Sequence, residues 1–170
     1  MTNKKIMIFA EDAFEDMELM YPKVFFEDLG FKVIVAGTGK IQYNGKYGYP
    51  ISANGEICDF NPDEFCAVIV PGGWAPDKLR RYAKALDFVR KMHKDGKAVA
   101  SICHGPWVLI SAGILKGKKI TCTPAIKDDA VNAGAHYSDE KVVVDGNIVT
   151  SRNPNDLPAF CNEILRLISE

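Results

Sequence analysis

An α/β fold, with a mostly parallel central sheet covered by helices on both faces, follows from three features of the sequence. Short, almost wholly apolar segments alternate with segments of helical period from end to end. The apolar segments are continuous rather than alternating, as expected of strands buried on both faces of a parallel sheet. Glycine and proline stand directly after two of them, at Pro71-Gly72-Gly73 and Gly105-Pro106, where the chain must turn into a helix.

The first strand is read at Lys5 to Ala10. Its lysine-rich start has the outline of a signal peptide, but the apolar run is too short and Glu11 and Asp12 follow it. A helix is expected from about Asp16 to Asp28, closed by Gly30. Pro22 inside it predicts a kink or a fresh start. Phe31 to Ala36 is a second strand. Residues 38 to 59 carry Asn44-Gly45-Lys46 and Asn54-Gly55 and read as a hairpin excursion. Cys66 to Val70 is a buried strand. Ala75 to Lys94 reads as one amphipathic helix, with Leu79, Tyr82, Ala83, Leu86, Val89 and Met92 at helical spacing and Gly96 closing it. Lys97 to Ile102 is the next strand, followed by a helix from His104-Gly105-Pro106 through Ala112. Lys119 to Thr121 is strand-like, and a short helix lies near Ile126 to Asn132. Val142 to Val149 is a hairpin around Asp145-Gly146-Asn147. Asn155 to Ile168 forms the last helix. No repeat or linker interrupts the pattern, so one domain is expected over residues 1–170.

Composition bounds the function. The chain has 170 residues, 47% apolar and 25% charged, which supports a real core and excludes disorder, collagen-like repeats and coiled coil. Its 21 basic and 22 acidic side chains give a net charge of −1, without the basic footprint of a nucleic-acid binder. Tyr43, Tyr47 and Tyr49, with Lys40 and Lys46, therefore read as exposed surface or a subunit contact. No apolar run approaches the ~18 residues of a membrane span, so no membrane partner and a cytoplasmic location are expected. Five cysteines without a C-x-x-C pair argue against a disulfide framework and a zinc finger. Three histidines, His93, His104 and His136, do not make a metal set, and His93 reads as solvated. No metal and no cofactor is expected.

Ligands of such folds bind outside the carboxyl ends of the strands. Three loops leave that edge: the acidic run Glu11-Asp12-Ala13-Phe14-Glu15-Asp16, then Pro71-Gly72-Gly73, then Cys103-His104-Gly105-Pro106. A strand ending in Cys103, a tight turn with Gly105 and a helix opened by Pro106 make a nucleophile elbow. Cys58, Cys66, Cys122 and Cys161 lack that context and read as structural. The amides of Gly72 and Gly73, joined by that of His104, are placed to meet a developing oxyanion. Helix amides behind Cys103 predict a thiol ionising below the ordinary ~8.5. Glu11, Asp12 and Glu15 all remain candidate acids on these grounds.

The order of Phe14-Glu15-Asp16-Met17-Glu18, Pro71-Gly72-Gly73, Ser101-Ile102-Cys103-His104-Gly105-Pro106, Ile110-Ser111-Ala112-Gly113, Leu115-Lys116-Gly117, Val143-Val144-Asp145-Gly146 and Thr150-Ser151-Arg152 resembles the ThiJ/PfpI family, across essentially the whole chain. That resemblance implies a flavodoxin-like three-layer sandwich, shared with class I glutamine amidotransferases. It implies Cys103 as nucleophile, His104 beside it, and Glu15 as the carboxyl group facing the thiol. In the peptidase-like branch a neighbouring subunit supplies a Glu, and the matching position here is Asp77. A Cys103–His104–Asp77 triad would then need a homo-oligomer, dimer or hexamer. The chain departs from the family pattern with Trp74 after the glycine pair, Trp107 in place of Gln and Thr123 in place of Tyr. The distal His-x-Glu pair of the amidotransferases is replaced by Thr150-Ser151-Arg152.

Three functions are implied. The first is a cofactor-free glyoxalase or protein deglycase, acting on a small aldehyde or a glycated protein or peptide, through Cys103 and Glu15 alone. The second is an intracellular cysteine peptidase, completed by oligomerisation. The third is an oxidative-stress sensor or chaperone in which Cys103 is oxidised to a sulfinate held by Glu15. The aldehyde reading ranks first because both its residues match.

Overall fold

The computed structural model describes residues 4–169. The first half of the chain forms β1 (Lys5–Phe9), α1 (Asp16–Asp28), β2 (Lys32–Gly37), β3 (Gln42–Asn44), β4 (Pro50–Ser52), β5 (Gly55–Glu56) and β6 (Phe65–Val70). Then come α2 (Ala75–Leu79), α3 (Ala83–Lys94), β7 (Ala98–Ile102) and α4 (Pro106–Ala112). The chain continues with β8 (Lys119–Ile120), α5 (Lys127–Asn132), β9 (His136–Tyr137), β10 (Val142–Asp145), β11 (Ile148–Ser151) and α6 (Leu157–Ser169).

The apolar runs pair as the pattern requires. One seven-stranded sheet has the order β10-β11-β7-β6-β1-β2-β5, and every neighbouring pair is parallel except β10 with β11. At its centre Ile6, Met7, Ile8, Phe9, Val68, Ile69 and Val70 are fully buried. Each such side chain contributes roughly 1.5–3 kcal/mol relative to exposure. α1 and α6 pack together on one face, and α3 and α4 pack together on the other. The sandwich expected from the sequence is the fold observed. Because β1, β6 and β7 run parallel as neighbours, the loops after all three leave the same edge of the sheet.

Four features differ from expectation. α1 runs unbroken through Pro22; the missing N–H frees one carbonyl, that of Glu18, and the buried side chains around it hold the helix together. The helix expected over 75–94 is two helices, α2 and α3. Tyr82 takes an extended backbone at the junction, and its hydroxyl donates to Glu56 instead of continuing the helical stripe. Tyr43 is fully buried rather than exposed, because its hydroxyl accepts the amides of Thr38 (2.7 Å) and Lys40 (2.9 Å) and so closes the turn after β2. Tyr47 and Tyr49 are exposed. His93 is half-buried rather than solvated, with its Nδ1 buried and unpaired among the described residues.

Among the described residues no helix is long and apolar enough to cross a membrane, and no cluster of three metal-ligating side chains occurs.

Candidate active site

Cys103 follows β7 directly and has φ 60°, a left-handed conformation that costs a side-chain-bearing residue of order 1–3 kcal/mol. The surrounding backbone over-determines it. The Cys103 amide donates to the Ser151 carbonyl (3.1 Å), its carbonyl accepts from Thr123 (3.2 Å), and the Gly105 amide returns to Ile102 (2.8 Å). This is the elbow read from the sequence, and it turns Sγ out of the sheet toward the loops after β1 and β6. The amides of Gly73 and His104 both reach the sulfur.

The acid at the thiol is Glu18, not Glu15. Glu18 lies on the face of α1 that also buries Leu19, Pro22 and Phe26, is itself fully buried, and its carboxyl hydrogen-bonds Cys103. Glu15 sits one turn earlier, at the N-cap of α1, where its side chain turns outward to the Lys46 ammonium at 2.9 Å. The helix periodicity decides between them: only position 18 shares the inward stripe. Glu11 is committed to the Asp12 amide (2.8 Å), to Thr38 and, at 3.5 Å, to the Lys78 ammonium, while Asp12 pairs with Lys40.

Gly72 differs from expectation too. Its N–H donates to Glu18 Oε2 at 2.7 Å, so it holds the acid, and the two amides left to face the sulfur are those of Gly73 and His104. A Cβ at Gly72 would stand 2.6 Å from both Cys103 Cβ and Glu18 Oε2. Only glycine lets thiol and carboxyl meet across this strand end.

Charge in this pocket is rationed. Burial, opposed by the Gly72 hydrogen bond and reinforced by the nearby Glu15 carboxylate, raises the Glu18 carboxyl to about 8. Burial and then the Glu18 carboxylate push the Cys103 thiol up to about 12, against the amides of Gly73 and His104. The expectation of a thiol acidified by the helix behind it is thereby corrected. α4 is only seven residues long, and its amides are outweighed by desolvation and a like charge. Thiolate and carboxylate exclude one another, so the pair works as one proton-sharing unit.

His104 stands beside the pair, with Nδ1 3.3 Å from Sγ. Burial and then the Lys46 ammonium lower its pKa, which keeps the ring neutral at pH 7. Its ring touches two indoles, Trp74 (centroids 5.6 Å apart) and Trp107 (5.2 Å). Asp77 does not reach it within the chain: Asp77 is exposed on α2 and bonded to Arg81 at 2.7 Å. Among the described residues no carboxylate hydrogen-bonds His104. The reactive-cysteine assignment also separates Cys103 from the other four, all free: Cys58 is exposed, Cys66 half-buried, and Cys122 and Cys161 buried.

Sequence reasoning missed Glu18 and Lys46. The signal for Glu18 was present as a glutamate in register with Leu19, Pro22 and Phe26, an apolar stripe on which an acid is otherwise out of place. Nothing local marks Lys46, which reaches the site only because the Phe14–Gly45 bridge brings the hairpin over α1.

The DJ-1/PfpI family pattern matches residues 4–167. The chain is 48% identical over 164 residues to a deglycase of Thermococcus kodakarensis, covering 96% of this chain and 99% of that one. It is 46% identical, with the same coverage, to the deglycase PfpI of Pyrococcus furiosus. Among solved structures, a two-domain protein of Anabaena variabilis with DJ-1/ThiJ/PfpI-like and ferritin-like domains superposes with a TM-score of 0.95 at 44% identity. That match covers 98% of this chain and 48% of the Anabaena protein, so the chain spans about half its length. With the family pattern matched almost end to end, and relatives near half identical over the same span, the chain belongs to the DJ-1/PfpI family.

Proposed function

We propose that the protein is a cofactor-independent cysteine enzyme of the deglycase or glyoxalase type, which converts small α-oxoaldehydes, or their early adducts on proteins, to 2-hydroxy acids in the cytoplasm. The Cys103–Glu18 pair carries the reading: a nucleophile and a buried acid–base with a pKa of about 8 share a proton at one strand end. The deglycase names of two relatives near half identical support it.

The chemistry follows from the geometry. The ionised fraction of Glu18 accepts the thiol proton as sulfur bonds to the aldehyde carbon, and the carbonyl electron pair moves onto oxygen. The Gly73 and His104 amides receive that oxyanion. Glu18 returns the proton to give a hemithioacetal. It then removes the C1 hydrogen as a proton, and reprotonation at C2 through an enediol leaves a thioester. Water hydrolyses the thioester, restoring the thiol; the net reaction adds one water to the oxoaldehyde. From methylglyoxal the product is lactate. A base with a pKa of about 8 serves both directions of transfer near neutrality.

The peptidase reading has one observation in its favour, the neutral His104 ring 3.3 Å from Sγ. Among the described residues of one chain no carboxylate orients that ring, Asp77 being exposed and bonded to Arg81, so this reading needs Asp77 from a neighbouring subunit. Lactate formation from methylglyoxal, assayed beside peptide hydrolysis on one preparation, separates the two. We expect lactate without peptide cleavage, and peptide cleavage without lactate overturns the aldehyde reading.

A homo-oligomer, dimer or hexamer, belongs to the same proposal. The outer face of α1 exposes Met17 and Val24 beside half-buried Met20, Tyr21 and Phe25, a contiguous apolar strip suited to a second copy. Light scattering is expected to show an oligomer at micromolar concentration, and Val24→Glu is expected to shift it toward monomer. A wild-type monomer defeats this part of the proposal.

A further inference from the structure

We propose that Trp74 sets the aldehyde preference of the site, by forming with His104 and Trp107 an aromatic lip that receives the flat, apolar substituent of an aryl α-oxoaldehyde. The inference rests on the reading of Cys103 as a nucleophile toward α-oxoaldehydes. It starts from an oddity of placement: Trp74 follows the glycine pair directly and is 60% exposed. A large indole left mostly in water beside a reactive centre is the kind of surface feature that marks a binding edge.

The lip has a fixed half and an open half. Trp107 is tethered, because its Nε1–H donates to Asp129 at 2.8 Å and the Arg80 guanidinium lies 5.5 Å over its ring. The Trp74 backbone is equally fixed, its amide donating to the Ala13 carbonyl at 2.8 Å. Its indole N–H has no hydrogen-bond partner among the described residues, and its one ring contact is His104 at 5.6 Å. With most of its surface exposed, the indole is free to receive a ligand.

Direction and charge then choose the ligand. Glu18 and the backbone of Gly72 and Gly73 close the inner side of Cys103. An aldehyde carbon at Sγ therefore carries its substituent outward, past the His104 ring and onto the indoles. A hydrogen or a methyl group is too small to cover that surface, whereas an aromatic ring stacks against it. A cationic substituent is disfavoured. Glu15 is paired with Lys46, whose ammonium acts on His104, and the Arg80 guanidinium lies over Trp107, so two cations already border the lip.

The test compares phenylglyoxal with methylglyoxal by kcat/KM in wild type, Trp74→Ala and Trp74→Phe. Wild type is expected to favour phenylglyoxal. Trp74→Ala should lower the phenylglyoxal-to-methylglyoxal ratio about tenfold, chiefly through KM, and Trp74→Phe should keep most of the preference. Trp74 is exposed, so neither change threatens the core. A ratio unchanged in Trp74→Ala overturns the lip while the aldehyde reading stands. A wild type inert toward both aldehydes overturns the aldehyde reading, and the lip falls with it.

Discussion

Cys103→Ser is expected to lower oxoaldehyde turnover by at least about 10³-fold, and Cys103→Ala to remove it. A serine hydroxyl fits the elbow but holds its proton far more tightly than a thiol, and its oxygen is a poorer nucleophile. Neither Glu18, at about 8, nor a neutral His104 is basic enough to offset that difference. Both variants should fold, since neither enlarges the side chain and the left-handed backbone at residue 103 is held by the Ser151, Thr123 and Ile102 contacts. The control is Cys58→Ser, which changes the one exposed cysteine and should leave turnover within about twofold. The measurement is initial rate on methylglyoxal, with circular dichroism to check folding. Substantial turnover by Cys103→Ala, in a protein that Cys58→Ser inactivates, would place the nucleophile on the wrong loop.

The fold was legible because its two periodicities are clean. Short apolar runs such as Ile6–Ala10 and Ala67–Val70, rich in branched residues or closed by Pro-Gly-Gly, read as strands buried on both faces, and the stripe through Val89 and Met92 reads as a helix packed on them. Where expectation failed, a long-range contact outranked the local pattern. Tyr82 fits the helical stripe but is drawn to Glu56, and Tyr43 looks like a solvent-exposed hairpin residue but closes the turn beyond β2.

The site divides the same way. The elbow at Cys103 and the glycine pair are local signals, readable from the order strand, turn, helix. Which acid faces the thiol is a question of helical phase. The sequence leaves Glu11, Asp12 and Glu15 as candidates and passes over Glu18, because the inward stripe of α1 is known only once its N-terminal boundary is placed. The thiol pKa was not legible at all, because its sign depends on burial and on Glu18 rather than on the helix that follows Cys103.

Glu18→Gln is expected to reduce turnover by roughly 10²–10⁴-fold, the usual worth of a positioned acid–base. The amide keeps the size of the carboxyl but exchanges no proton at working pH. Cys103 should still form a hemithioacetal with the aldehyde that does not go on to product, detectable as protection of Cys103 from iodoacetamide when methylglyoxal is present. Glu15→Gln breaks the pair with Lys46 and removes a charge that helps to raise Glu18, but leaves the acid–base in place and should cost less than about tenfold. The same Glu18 change should stabilise the fold. The unfolded carboxyl loses its proton near 4.5 while the folded one keeps it to about 8. Between those values the native state binds more protons, so this group makes stability fall as pH rises from about 4.5 to 8, and the deficit persists above that. Ionising Glu18 in place costs roughly 4–5 kcal/mol, from the distance between the two pKa values. Among the described residues its Oε1 has no hydrogen-bond partner, as expected of a site kept for chemistry rather than for stability. Glu18→Gln recovers part of that cost. Its Tm should exceed wild type by about 5–10 °C at pH 8.5, and by much less near pH 4.5. A variant that is inactive yet no more stable at pH 8.5 than at 4.5, relative to wild type, would show that Glu18 is not held protonated at neutral pH. Full activity in Glu18→Gln with loss in His104→Ala would move the proton relay to the imidazole.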